Sequence, residues 1–182
     1  KISTTLKLLT VGRVVPQKNV LKYIEAVKIA IDNGCDISVR WVGNQSLSQY
    51  YDECKEKIKE YRIEDKFEFI EPKTNIVDEY QLADAFCLPS VYEGYPNVLC
   101  EAMSCGLPIA CGDVCDNASI VRDGINGVLF NPHDSQDISY AIERLCNMCM
   151  ATYNEISINN RNSILSNNSP LVFVKKYETL IN

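Results

Sequence analysis

Six short apolar runs alternate with segments of helical spacing along this 182-residue chain, and that alternation restricts the fold more than any other feature. The runs are LKLLTV (6–11), ISVRWV (37–42), FEFI (67–70), AFCL (85–88), LPIA (107–110) and GVLF (127–130). Between them, Asn19 to Asn33 places Val20, Ile24, Val27, Ala30 and Ile31 at helical intervals before Gly34 stops the pattern. Leu47–Tyr61, Ile76–Leu82, Asn97–Cys105 and Ser135–Met150 read as further helices. Strands separated by helices pair in parallel through right-handed crossovers. The expected fold is therefore α/β: a doubly wound, six-stranded, Rossmann-like parallel sheet covered on both faces. Ligands of such sheets bind at the carboxyl ends of the strands.

The segment from Thr152 to Asn168 is rich in Asn and Ser with little periodicity, which suggests a loose helix or a linker. Pro170 then opens an amphipathic stretch, PLVFVKKYETLI, so 151–182 reads as a C-terminal tail and helix. A first strand that begins almost at once, with no initiator methionine, suggests a piece of a longer protein. One domain over 1–182 suffices for this length.

A formal charge of −6 argues against nucleic acid as the main partner, because nucleic-acid-binding surfaces are usually basic. Any anion site must then be local. No apolar run is long enough to span a bilayer, and KISTTLKLLTVGR lacks the apolar core of a signal peptide, so the chain reads as cytoplasmic. Nine cysteines are an odd number, and most lie within apolar runs, as reduced buried thiols do. Cys146 and Cys149 have metal-like spacing, yet there is no second such pair and His133 is the only histidine, so no metal site is expected.

Two segments carry candidate chemistry. In VGRVVPQKN the turn after the first strand sets Gly12, Arg13 and Lys18 about the start of a helix, where free N–H groups and the dipole favour phosphate. Taken singly, Arg13 or Lys18 is more simply a solvated surface charge. The second segment, PSVYEGYPNVLCEAMSCGLP, runs from the strand at 85–88 into the helix at Asn97. There Gly94 permits close backbone approach, Asn97 is a suitable N-cap, and Glu93 and Glu101 stand eight positions apart. Carboxylates accept the two hydroxyls of a vicinal diol, as sugars and riboses present; a lone glutamate is more often a solvated or dipole-matching acid.

With those residues in place, the sequence resembles the retaining GT-B glycosyltransferases. Glu93-x7-Glu101 is similar to their E-x7-E signature, VGR with Lys18 to their phosphate-binding turn, and WVGN (41–44) to the end of their second strand. ADAFCLPS (83–90) and IVRDGINGVLFNPHD (120–134) match later stretches. The resemblance implies one half of a GT-B fold, the C-terminal domain that binds the donor, a UDP- or GDP-sugar, with the N-terminal acceptor domain absent from this chain. It implies that Arg13 and Lys18 hold the diphosphate, that Glu101 takes the ribose, and that Glu93 takes hydroxyls of the transferred sugar with the backbone around Gly94, Tyr95, Asn97 and Val98. Arg13, Lys18 and Glu93 would be the catalytic groups, Gly12 would line the phosphate turn, and the base would lie near Glu71–Asn75. No metal or other cofactor is implied, since cations and helix ends take that place. The acceptor would be a glycan or a lipid-linked glycan of the cell surface, met through the other domain, with peripheral contact at the inner face of the membrane as a further option for the full-length protein.

Three positions depart from the family pattern. Asn19 and Pro96 stand where glycine is common, and DNASIV (116–121) lacks the usual glycine pair and glutamate. The principal rival is a module that binds a nucleotide or nucleotide sugar without turnover. A dinucleotide oxidoreductase or a P-loop nucleotidase is disfavoured, because neither G-x-G-x-x-G nor G-x-x-x-x-G-K-[ST] occurs.

Overall fold

The computed structural model describes residues 5–45 and 48–167. Its strands are β1 (Leu6–Val11), β2 (Ile37–Val42), β3 (Phe67–Ile70), β4 (Ala85–Leu88), β5 (Ile109–Gly112) and β6 (Gly127–Phe130). Its helices are α1 (Val20–Asp32), α2 (Gln49–Glu60), α3 (Val77–Leu82), α4 (Asn97–Ser104), α5 (Asn117–Ile120), α6 (Ser135–Cys146) and α7 (Met150–Asn167). All six strands pair in parallel in the order β3-β2-β1-β4-β5-β6, the doubly wound sheet that the alternation requires.

Neighbouring residues along a strand project to opposite faces, and here both faces are buried. Leu8 enters one apolar cluster and Leu9 the other; Cys87 is likewise divided from Phe86 and Leu88. The first cluster lies under α1, α2 and α6 and is centred on Trp41, Tyr23 and Phe67, with Tyr23 edge-on to Phe67 at 5.9 Å between ring centroids. The second is roofed by α4 through Leu99, Ala102 and Met103. Each fully buried large side chain contributes roughly 1.5–3 kcal/mol of transfer free energy, so these two layers fix the sheet before any polar contact is considered.

Three elements differ from the sequence expectation, each for a local reason. β5 begins at Ile109, two residues late, because Pro108 has no N–H for the ladder and contributes only its carbonyl, which accepts from Phe86 N–H at 2.9 Å. α6 ends at Cys146 instead of running to Met150, since the Asn147 side chain turns back to donate to Glu143 O at 3.0 Å. Asn117–Ile120 is a single helical turn that no periodicity reveals.

The weakly periodic Asn/Ser segment is the 18-residue helix α7, continuous to Asn167. Its anchor is polar. Asn160 is fully buried, and its amide donates to Leu107 O at 2.8 Å and Asn126 O at 3.1 Å, while Arg161 reaches Cys105 O at 3.1 Å. Ile156 is buried on the same face and Ile164 packs against the second cluster, but an inward face interrupted by a buried amide shows little of the apolar stripe by which helices are recognised. The amphipathic stretch after Pro170 lies outside the described residues.

Replacing Asn160 by Ala orphans two buried carbonyls and is expected to cost about 1–3 kcal/mol of stability. Urea unfolding followed by circular dichroism measures this; a midpoint equal to that of the unaltered chain contradicts the polar anchor.

Candidate functional site

β1 and β4 are neighbours whose following crossovers leave in opposite directions, toward β2 and toward β5. A crevice opens at such a reversal, at the carboxyl ends of the strands. The loop 12–18 and the loop 89–96 emerge there side by side, and polar contacts sew them together. Val91 N–H donates to Gln17 O at 3.1 Å, and Gln17 Nε2 donates to Tyr92 O at 2.9 Å.

Backbone proximity shapes the first of these loops. Gly12 N–H bonds Val42 O at 2.9 Å, and Gly12 O accepts from the Trp41 indole at 2.8 Å, which satisfies the one polar atom of a fully buried ring. A Cβ at Gly43 would stand 2.2 Å from Gly12 O, so only glycine admits this approach. The segment ends in a 3₁₀ turn, Pro16–Lys18, and Asn19 follows at φ 59°. That left-handed backbone suits glycine best and asparagine next, which explains why Asn19 can replace the family glycine. Its side-chain amide also donates to Pro89 O at 3.0 Å and Pro132 O at 2.7 Å, joining the loops that follow β4 and β6 to the turn that follows β1.

Lys18 and Glu93 meet directly. Nζ lies 2.6 Å from Glu93 Oε1, with the two side chains 15% and 10% exposed, so this is a largely desolvated ion pair. Arg13 is exposed and forms no ion pair among the described residues; no described residue accepts from its backbone N–H either. Glu101 stands apart from both cations. It is exposed on α4, and its Oε2 accepts from the Tyr80 hydroxyl at 2.8 Å. Tyr80 is 1% exposed; burial raises its pKa well above the ordinary value and the Glu101 carboxylate raises it further, which keeps the phenol a donor. Gly94 and Tyr95 are exposed, Val98 is half-buried, and a Cβ built on Gly94 would meet nothing within 4 Å. Glu71–Asn75 forms an exposed loop at the carboxyl end of β3.

Two expectations about helix ends need correction. The first turn of α1 is not wholly open to an anion, because the Tyr50 hydroxyl of α2 accepts from Leu21 N–H at 3.4 Å. Asn97 is the first residue inside α4 and not its N-cap; Pro96 holds the cap position, and no side chain caps it. The Asn97 N–H is already bonded to Tyr95 O at 3.0 Å and Leu99 N–H to Pro96 O at 2.9 Å. Among the described residues no acceptor meets the N–H of Gly94 in the loop or of Val98 in the first turn of α4. In the DNASIV segment, Asn117 bonds Gly112 O at 2.9 Å and so braces the end of β5. Sequence reasoning missed Tyr80, Gln17 and Tyr50, whose partners are many residues away on other elements; no spacing rule connects residue 80 to residue 101.

All nine cysteines are free thiols, with Cys35, Cys54, Cys87 and Cys111 buried. Among the described residues no group of three or more His, Cys, Asp or Glu side chains is placed to hold a metal ion, and no helix is long and apolar enough to cross a membrane.

The topology defines the class of protein: an α/β Rossmann-like domain of the kind that makes up half of a GT-B glycosyltransferase. The chain belongs to the glycosyl transferases group 1 family, whose profile matches residues 1–163. It is 33% identical over 141 residues to a D-inositol 3-phosphate glycosyltransferase of Nocardia farcinica, covering 74% of this chain and 31% of that protein. It is 29% identical over 159 residues to an Escherichia coli UDP-Gal:alpha-D-GlcNAc-diphosphoundecaprenol alpha-1,3-galactosyltransferase, covering 86% of this chain and 40% of the relative. In fold it resembles the Anabaena protein HepE, crystallised with UDP and glucose, with a TM-score of 0.86 at 21% identity over 97% of this chain and 48% of that one. The chain thus spans less than half the length of each of these proteins.

Asn19 separates backbone strain from bonding. Asn19→Gly removes only the two amide bonds and is expected to cost about 1–3 kcal/mol. Asn19→Ala adds the left-handed penalty of about 1–2 kcal/mol. Thermal or urea melts of both variants check the order; equal stability of the two removes the strain argument.

Proposed function

We propose that this chain is the donor-binding domain of a retaining glycosyltransferase, holding a nucleoside-diphosphate sugar in the crevice between β1 and β4 for transfer to an acceptor. The observation that carries the reading is the contact of Lys18 with Glu93. It joins the phosphate-type turn and the E-x7-E segment in one seam, where the fold places its ligands.

In this reading the Arg13 guanidinium and its N–H, with the Lys18 ammonium, stabilise the negative charge that grows on the departing diphosphate. Groups fixed in advance around developing charge lower the barrier without reorganising at the moment of reaction. Glu101 accepts from the ribose hydroxyls. Glu93 and the N–H groups of Gly94 and Val98 address the transferred sugar, and the space beside Gly94 gives it room. The base lies along the Glu71–Asn75 loop.

UDP is the favoured nucleotide over GDP, because the E. coli relative's name specifies UDP-Gal and HepE was crystallised with UDP. A hexose is the favoured sugar, and the first of those names, with its diphosphoundecaprenol acceptor, likewise supports a lipid-linked acceptor; the reading extends to cell-surface glycan synthesis in the cytoplasm, at the inner face of a membrane. The acceptor site belongs to the portion of the relatives that this chain does not span. The chain by itself therefore acts as a nucleotide-sugar-binding module without turnover, since closure of two domains completes such a site and excludes water.

The ion pair gives the glutamates distinct signatures. Lys18 is already neutralised, so a diphosphate must draw it away from Glu93. Glu93→Gln keeps an acceptor for Lys18 and removes the competing charge; it is expected to leave UDP affinity undiminished while weakening the intact UDP-sugar. Arg13→Ala and Glu101→Ala are each expected to weaken both ligands by about 1–3 kcal/mol. Calorimetry at fixed pH and salt compares them. Loss of UDP affinity in Glu93→Gln as large as that in Glu101→Ala would show the roles to be wrongly divided, and unchanged UDP affinity in Arg13→Ala would remove the phosphate assignment. Sugar transfer by the 182-residue chain alone would refute the module reading.

A further inference from the structure

We propose that Tyr80 is a positioning residue for Glu101, fixing in advance the carboxylate that selects a ribose; the inference rests on the assignment of Glu101 as the ribose ligand. Tyr80 lies on α3 and is buried at 1% exposure, with its ring 5.8 Å from Phe86 at 44°. A buried phenol requires a partner for its hydroxyl. A neighbouring backbone carbonyl, Val98 O, is within reach at 3.5 Å, yet the shorter bond, 2.8 Å, goes to Glu101 Oε2. The rigid end of the pair is in the core and the mobile end is an exposed carboxylate on another helix.

That asymmetry has a chemical consequence. An exposed glutamate on a helix ordinarily samples several rotamers, and a ligand that binds it must bear the cost of ordering it. Here one oxygen is tied to an immobile donor, and the bond gains strength from the charge of its acceptor. An ionised carboxylate has about four acceptor positions, so the Tyr80 bond leaves capacity for both hydroxyls of a vicinal diol. Glu101 Oε1 has no hydrogen-bond partner among the described residues. Tyr80 therefore orients the carboxylate without competing for the ligand, and its contribution appears in discrimination between ribose and deoxyribose instead of in general nucleotide affinity.

Tyr80→Phe removes one oxygen and keeps the ring against Phe86. Calorimetry of the 182-residue chain, Tyr80→Phe, Glu101→Ala and the double variant, each with UDP, 2′-deoxy-UDP and inorganic pyrophosphate, tests the proposal. Loss of one such hydrogen bond should weaken UDP about five- to tenfold. The preference for UDP over 2′-deoxy-UDP should shrink by a similar factor, with pyrophosphate binding unchanged. In the Glu101→Ala background, Tyr80→Phe should cost nothing further, the non-additivity of two groups acting as one. The proposal is overturned if Tyr80→Phe retains the full preference for ribose, if pyrophosphate weakens equally, or if the two substitutions add. A chain that binds pyrophosphate but not UDP, before any substitution, refutes the ribose assignment of Glu101 itself; a chain that binds neither refutes the nucleotide reading as a whole.

Discussion

The seam between β1 and β4 is the constraint on which the rest of the molecule depends. Within the sheet these strands are ordinary neighbours, with Leu8 level with Ala85 and Leu9 with Phe86, and a buried Thr10 hydroxyl bonding Cys87 O at 2.9 Å. Beyond their carboxyl ends the chain leaves in opposite directions, so no backbone ladder can bind the two loops. One backbone bond, Val91 N–H to Gln17 O, and a set of side chains do it instead: Gln17 to Tyr92, Asn19 to Pro89 and Pro132, and Lys18 to Glu93. The place where topology withdraws the backbone ladder is thus the place where polar side chains gather, and in the proposed function a ligand with hydroxyls and phosphates would meet groups already positioned by the need to hold the loops.

The charge arrangement follows from the same need. Removing water from an isolated ammonium or carboxylate is costly, so at 15% and 10% exposure Lys18 and Glu93 require each other. Such a pair adds little net stability, since apolar residues of similar volume often serve as well. Stability alone does not account for it. In the proposed function, the pair holds a cation in a fixed place from which a stronger anion would draw it. Arg13, exposed and free of ion pairs among the described residues, does not need to be drawn from any partner. One cation is reserved by the protein and the other is immediately available, a division that in the proposed function would separate initial capture of a diphosphate from its final placement.

Much of this was legible in the residues. Strand number, parallel pairing and the side of the sheet that carries the loops follow from the alternation of apolar runs with helical segments, because that alternation leaves only crossover connections. Gly12, Arg13, Lys18, Glu93 and Glu101 could be singled out because their spacing in the chain is local. The Tyr80–Glu101 bond spans 21 residues between helices, and the Lys18–Glu93 bond spans 75, so neither appears in a linear reading. Capping was misjudged for a related reason: Asn97 is a favourable cap type, but the helix begins at Asn97 itself, and Pro96 before it, at φ −81° and ψ 86°, holds the cap position with no side chain to offer. α7 escaped because its fixing contact is the buried Asn160 amide, and hydrophobic periodicity cannot register an amide.

The departures from the family pattern then acquire physical content. Asn19 occupies a left-handed backbone position that glycine would fill without strain, and in return its amide reaches two carbonyls that glycine could not. In the segment that lacks the usual glycine pair the two parts fall on different residues: Cys115 takes the left-handed backbone at φ 48°, and Asn117, fully buried beside the end of β5, bonds Gly112 O. In both segments an asparagine amide braces the backbone just past a strand end. An active-site loop rich in glycine is ordered mainly when its ligand arrives; one braced by asparagine amides has already lost that entropy on folding. The crevice of this chain is therefore stiffened before binding, and the cost of order falls on the stability of the domain instead of on its affinity for a ligand.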